Sequence, residues 1–151
     1  MNAVIRPAAA SELGDFLPLL HNMHRESAIK WPSYDDRKIL GALEQCFETG
    51  CVFGAFDVPH LPVGILALAE GEHWFSTHKF LGDLVFYVHP NHRRSTVARR
   101  LLEAGKRLAT DSGLPLMLAV VDGRDVERKD AFYERGGFNR IGGVFAYNFK
   151  E

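Results

Sequence analysis

The stretch FLGDLVFYVHPNHRRSTVARRLLEAGKRLATDSGLPLMLAVV, Phe80 to Val121, decides how this chain folds. Its first part, through Val88, is nearly continuous in apolar residues, as expected of a strand buried on both faces. The period then changes. Val97, Leu101, Leu102, Gly105 and Leu108 recur at the spacing of one helix face, and Asp111-Ser112-Gly113 stops the helix. Leu114 to Val121 reads as a strand again. A strand, a helix and a strand joined by short connections imply a parallel pair with a right-handed crossover.

Working outward, Val4 and Ile5 form a short β-like core stopped by Pro7. Leu13, Phe16, Leu17, Leu20 and Met23 recur at helical spacing, with Ser11 as the expected N-cap. A second helix is expected from Ser33, where Ser33 and Asp36 form a capping-box variant; Ile39, Leu40, Leu43 and Phe47 make its stripe and Gly50 ends it. CVFGAFDV and PVGILALAEGEHWF read as two strands joined by the turn PHLP, antiparallel to each other and to the strand that follows. DVERKDAFYERGG is a short helix ended by Gly136 and Gly137, and FNRIGGVFAYNF closes the chain as a strand. The expected fold is therefore α/β, in the α+β layered sense: a mixed, mostly antiparallel central sheet of six to seven strands with helices on both faces. No repeat, low-complexity tract or linker-like composition shift divides residues 1–151, so a single domain is expected.

The composition, 46% hydrophobic and 25% charged over 151 residues, is that of a globular protein with a real core. Cys46 and Cys51 are too few for a disulfide framework or a zinc box and read as reduced thiols. No apolar run approaches the about 20 residues that span a bilayer, and the first residues do not read as a signal peptide. A cytoplasmic protein without a membrane partner is the expectation.

The net charge of −1 is unevenly spread. Between Arg93 and Arg107, six Arg and Lys residues stand against Glu103 alone, a local +5 that leaves −6 elsewhere. Such asymmetry suggests a local anionic ligand. The start of a helix directs unpaired N–H groups outward and carries partial positive charge, which suits phosphate. Arg93 and Arg94 precede the first turn, and Ser95, Thr96, Val97 and Ala98 form the turn itself, with small side chains at three of those positions. Arg99, Arg100, Lys106 and Arg107 read as an outer, solvated face.

VHPNHRRSTVARRLL resembles the signature of the GNAT acyltransferase superfamily, Arg/Gln-x-x-Gly-x-Gly/Ala after a V-x-P strand end. Arg93 falls on its first position and Ala98 on its last, while Thr96 stands where glycine is usual. AFYERGGF is similar to the family's late Y-x-x-x-G-F segment, with Tyr133, Gly137 and Phe138 in register. The order of strands and helices is also that of the family. This resemblance implies an acetyl-CoA dependent N-acetyltransferase. Arg93 to Ala98 would cradle the pyrophosphate, and the strand from Phe86 to Val88 would pair by its backbone with the pantetheine arm. An N–H near Val88 would polarise the thioester carbonyl. The resemblance also implies a small-molecule or peptide amine as acceptor, places Trp31 and Tyr34 among acceptor-binding segments, and leaves room for a homodimer. A side chain at Thr96 would weaken binding if the loop needed a positive φ there; in a helical position its hydroxyl could instead reach a phosphate.

Acyl transfer to an amine needs a stabilised oxyanion, a neutral amine and a proton for the leaving thiolate. By the resemblance, Tyr133 is the thiolate-protonating acid; otherwise it packs with Phe132 and Phe138. Asp83 is a carboxylate inside an apolar strand, either the base or an edge charge. Glu70 and Glu72 could line an acceptor pocket or simply decorate a turn. The pairs His21/His24 and His89/His92 have a spacing a metal could use, but neither is completed in sequence, so no metal is expected. Two rivals stay open: a catalytically inactive coenzyme A-binding or partner domain of this fold, and a nucleic-acid-binding module. The negative net charge and the lack of a second basic element speak against the latter.

Overall fold

The computed structural model describes residues 3–29, 33–57, 59–121 and 123–149. Its strands are β1 Val4–Pro7, β2 Cys51–Asp57, β3 Leu61–Glu72, β4 Lys79–Val88 and β5 Leu116–Met117, arranged in that order in one sheet. The first four pair antiparallel and β4 pairs β5 parallel across helix α3, Val97–Ser112. The mixed sheet and the crossover match the sequence reading.

Two helices, α1 Leu17–Glu26 and α2 Asp36–Thr49, cover one face of the sheet. Leu19, Leu20, Leu43 and Cys46 pack there with Val52, Ile65, Ala67 and Tyr87. The alternate residues Phe53, Val63, Leu66, Leu68 and Val88 face the other way, onto Val97 and Leu101 of α3. This is the period-two alternation of a sheet buried on both sides. Helix α4, Val126–Arg135, follows β5.

Local chemistry explains the boundaries. The first helical segment is split: a 3-10 stretch over Ala10–Phe16 precedes α1, whose second residue is Pro18. Ser11 is not the cap there; the Glu12 carboxylate instead accepts the Ala9 N–H at 2.8 Å. At α2 the cap is Asp35 rather than Ser33, its Oδ1 accepting the N–H groups of Arg37 at 2.9 Å and Lys38 at 3.1 Å. Gly113 closes α3 at φ 67°, a left-handed conformation natural to glycine.

Strand count is the main difference from expectation. The sheet has five strands among the described residues, not six to seven. Among the described residues FNRIGGVFAYNF pairs with no strand. Its would-be neighbour β5 is only two residues long and offers no extended ladder. Ile141, Val144, Phe145 and Tyr147 accordingly stand exposed. Among the described residues no helix is long and apolar enough to cross a membrane.

Candidate active site

The site is built where β4 and β5 part. Their pairing stops after Leu81↔Leu116 and Gly82↔Met117. Immediately beyond, β4 carries a bulge: Ala67 of β3 pairs with Val85 and Leu68 with Asp83, so Leu84 is the extra residue. A bulge bends its strand and increases the local twist, which turns β4 away from β5. Neither residue type nor spacing marks it.

The His89 N–H reaches the Val63 carbonyl on β3 at 2.8 Å. By alternation, the backbone groups of Phe86 and Val88 point the opposite way, along the edge β5 has left. Phe86 is half-buried, in ring contact with Phe132 at 6.1 Å and Tyr133 at 6.3 Å between centroids. Tyr133 in turn meets Phe138 at 5.8 Å. The structure thus brings Phe86 of the open edge and Tyr133 of α4 to one place, inside an aromatic cluster.

The loop into α3 passes beyond the end of that edge. Pro90–His92 forms one 3-10 turn, in which the His89 ring accepts the Asn91 N–H at 3.2 Å. Arg94, Ser95 and Thr96 are exposed, Ala98 is half-buried and Val97 is buried under the sheet. Ser95 Oγ accepts the Val97 N–H at 3.2 Å and donates to the His92 carbonyl at 2.5 Å, fixing the turn. The first bond of the helical ladder runs from Arg100 N–H to the Thr96 carbonyl, 2.9 Å. The N–H groups of Ala98 and Arg99 precede it and are left for an outside acceptor. Thr96 has φ −86° and makes no side-chain cap bond. The glycine-like conformation that would have excluded a side chain is therefore not used there.

Arg93 is held differently from the expectation of a cation waiting beside those donors. Its Nη1 lies 2.9 Å from Oε1 of Glu26, its Nη2 3.0 Å from Oε2, and its Nε donates to the Val88 carbonyl at 2.9 Å. Glu26 also receives the Tyr87 hydroxyl, and Tyr87 accepts from Asn22 Nδ2 at 2.7 Å. The Glu26–Tyr87 contact escaped the sequence reading because 61 residues separate the two. Burial alone would raise the Glu26 carboxyl, but the bonds from Tyr87 and Arg93 and the charges of Arg93 and Arg124 hold it below the usual carboxylate range. Burial, followed by Glu26, pushes the Tyr87 hydroxyl up to about 12.

Asp83 lies on β4 beside the bulge, its Oδ1 accepting the Ala119 N–H at 3.1 Å. Burial drives its carboxyl up to about 6 despite that bond. Glu70 pairs with Lys79 at 3.1 Å and, like Glu72, is exposed at the far end of β3. Of the basic residues on α3, Arg99 and Arg107 are exposed as expected. Arg100, by contrast, donates to the Ala3 carbonyl at 2.9 Å and Lys106 to the Gly136 carbonyl at 2.8 Å, so both tie α3 to its neighbours. His21 contacts Asp36 at 2.8 Å and, with His24, packs on the Tyr34 ring. Trp31 lies outside the described residues. Among the described residues no group of three His, Cys, Asp or Glu side chains gathers as a metal site would require.

A splayed parallel pair, a free strand edge and a helix start thus meet at one end of β4. Comparison with known proteins assigns the family. The family model described as an acetyltransferase (GNAT) domain matches residues 48–140, more than half of the chain, and the chain belongs to that family. No curated protein matches the sequence at a significant level. Among solved structures, the fold is shared by aminoglycoside antibiotic 6'-N-acetyltransferase AAC(6')-IG from Acinetobacter haemolyticus, at 22% identity and TM-score 0.69, covering 98% of this chain and 99% of that one. Ribosomal-protein-alanine N-acetyltransferase from Brucella melitensis biovar Abortus 2308 matches at 19% identity and TM-score 0.73, covering 99% and 100%. AAC(6')-Iy, solved with the bisubstrate analogue CoA-S-monomethyl-acetylneamine, matches at 18% identity and TM-score 0.72, covering 99% of each chain. GNAT acetyltransferases use acetyl-CoA.

Proposed function

We propose that this chain is an acetyl-CoA dependent N-acetyltransferase that passes the acetyl group directly to an amine in a ternary complex. The observation that carries the reading is the open edge of β4 at Phe86–Val88, running into the exposed start of α3. An amide-bearing arm pairs along such an edge by main-chain bonds, as an added strand does. The N–H groups of Ala98 and Arg99, with the exposed Arg94 cation, receive a pyrophosphate at the arm's far end. Acetyl-CoA supplies an activated thioester carbonyl.

The chain's own residues then have distinct tasks. The Val88 N–H, on the free edge, donates to the oxygen on which negative charge develops. Asp83, whose carboxyl burial pushes up to about 6, accepts a proton from the incoming ammonium at neutral pH. Tyr133 returns a proton to the leaving sulfur. A small-molecule amine is the acceptor class that the fold's neighbours suggest, since one is an aminoglycoside antibiotic 6'-N-acetyltransferase by name and another was solved with an acetylneamine bisubstrate analogue.

Tyr133→Phe tests the assignment. It removes one hydroxyl and keeps the ring in its cluster with Phe86 and Phe138. Turnover of acetyl-CoA against an amine panel should fall about 10²-fold or more, as loss of a positioned proton donor does. Acetyl-CoA affinity should stay within about twofold, because the removed group contributes only in the transition state. Unchanged turnover would remove Tyr133 from the mechanism.

A further inference from the structure

Helix α4 carries Tyr133, yet burial does little to hold it. None of its residues is buried, and its start has no side-chain cap. Phe132 and Tyr133 touch Phe86 through their rings, and α3 fastens the C-terminal end of the helix. The Lys106 ammonium, on α3, donates to the Gly136 carbonyl at 2.8 Å. The backbone of Gly136 also rests on Leu102, a core residue of α3: a Cβ at Gly136 would lie 2.9 Å from Leu102 Cδ2. Two side chains one turn apart on α3 thus seat the end of α4.

Lys106 is itself held in place. Glu103, one turn back on α3, pairs with its Nζ at 3.2 Å, so a carboxylate and the end of α4 share the ammonium. A cation at a helix C-terminus also meets the negative end of that helix's dipole. From Gly136 the constraint runs to Tyr133. The N–H groups of Gly136 and Phe138 donate to the Tyr133 carbonyl at 2.9 and 3.0 Å, and the Phe138 ring stands 5.8 Å from the Tyr133 ring. A proton donor works only within hydrogen-bond reach of its target, and a displacement of about 1 Å can cost 10²-fold in rate.

We infer that Lys106 is a positioning residue for the acid: by holding the Gly136 carbonyl it fixes where α4 presents the Tyr133 hydroxyl beside the open edge of β4. The inference rests on the reading of Tyr133 as the proton donor to the leaving sulfur. Lys106 acts through Gly136 and the last turn of α4. One helix then serves both ends of the reaction, its start receiving the pyrophosphate and its third turn setting the acid.

The test is a double-mutant cycle on the full chain. Lys106→Met keeps an apolar stem and the helix propensity and removes the donor. With the amine that the parent acetylates fastest in a panel, kcat should fall about five- to thirtyfold while KM for acetyl-CoA stays within about twofold. Lys106→Arg supplies a cationic donor again and should return kcat to within about threefold of the parent. In the Tyr133→Phe background, Lys106→Met should cost less than about twofold, because the hydroxyl it positions is gone. Hydrogen exchange gives a reading that needs no acceptor: Lys106→Met should speed exchange across 132–138 and leave 97–104 unchanged, and Lys106→Arg should restore the parent's rates. A full rate in Lys106→Met, an equal loss without the Tyr133 hydroxyl, a loss confined to acetyl-CoA affinity, or unchanged exchange across 132–138 would each overturn the role given to Lys106. A Tyr133→Phe chain as fast as the parent, or a parent that acetylates no amine of the panel, would overturn the acid reading beneath it. That outcome is separable, since exchange still decides whether Lys106 holds α4.

Discussion

Asp83→Asn separates stability from activity at one position. The Asp83 carboxyl has its ordinary value of 3.8 in the unfolded chain and rises to about 6 in the folded one because it is buried. The folded state therefore binds the proton more tightly. Its contribution to stability is complete below about pH 4 and is lost as the pH rises through about 6. Two pKa units correspond to about 3 kcal/mol. Asparagine keeps an oxygen for the Ala119 N–H, now 3.1 Å from Asp83 Oδ1, and has no charge to bury. We expect the variant to exceed the parent by about 1–3 kcal/mol near pH 8, with the gap closing towards zero below about pH 4. Urea unfolding followed by circular dichroism across that range measures it directly. In its proposed role as base, Asp83 should also give the parent a rate that climbs with pH to a plateau above about 6, a limb the variant should lose. A stability gap independent of pH, or one that grows towards acid, would exclude burial of the Asp83 charge as its cause.

Two further substitutions probe the frame around the site. A Cβ at Gly50 would lie 2.1 Å from the Leu68 carbonyl oxygen, so Gly50→Ala must push α2 off β3 and should lower stability by about 2–4 kcal/mol in thermal unfolding. Thr96 already has a negative φ, so Thr96→Gly should change acetyl-CoA affinity by less than about threefold by calorimetry; a gain of about tenfold would mean that the loop needs the closer approach only glycine allows.

Much of this was legible in the sequence because the relevant signals are local. The stripe from Val97 to Leu108 set α3 and, with the apolar runs on either side, the parallel crossover. Motif positions drew attention to Arg93 through Ala98 and to Tyr133. Caps were read less well, because Asp35 outcompetes Ser33 and Glu12 acts where Ser11 was expected, choices made by side-chain reach rather than residue type. The last strand is the exception: the apolar run Val144 to Tyr147 forms a strand only if an edge is there to receive it, and β5 is two residues long. The Glu26–Arg93 pair spans 67 residues, and the bulge at Leu84 depends on how β3 and β4 come into register. Neither leaves a mark in composition or spacing.

Calorimetric titration of the parent chain with acetyl-CoA decides whether the open β4 edge and the start of α3 together hold an acyl-CoA. We expect saturable one-to-one binding with a micromolar dissociation constant, weakened by salt if Arg cations and helix N–H groups hold the pyrophosphate. No binding heat at donor concentrations up to about a millimolar, a ceiling near −4 kcal/mol of binding free energy, would contradict it.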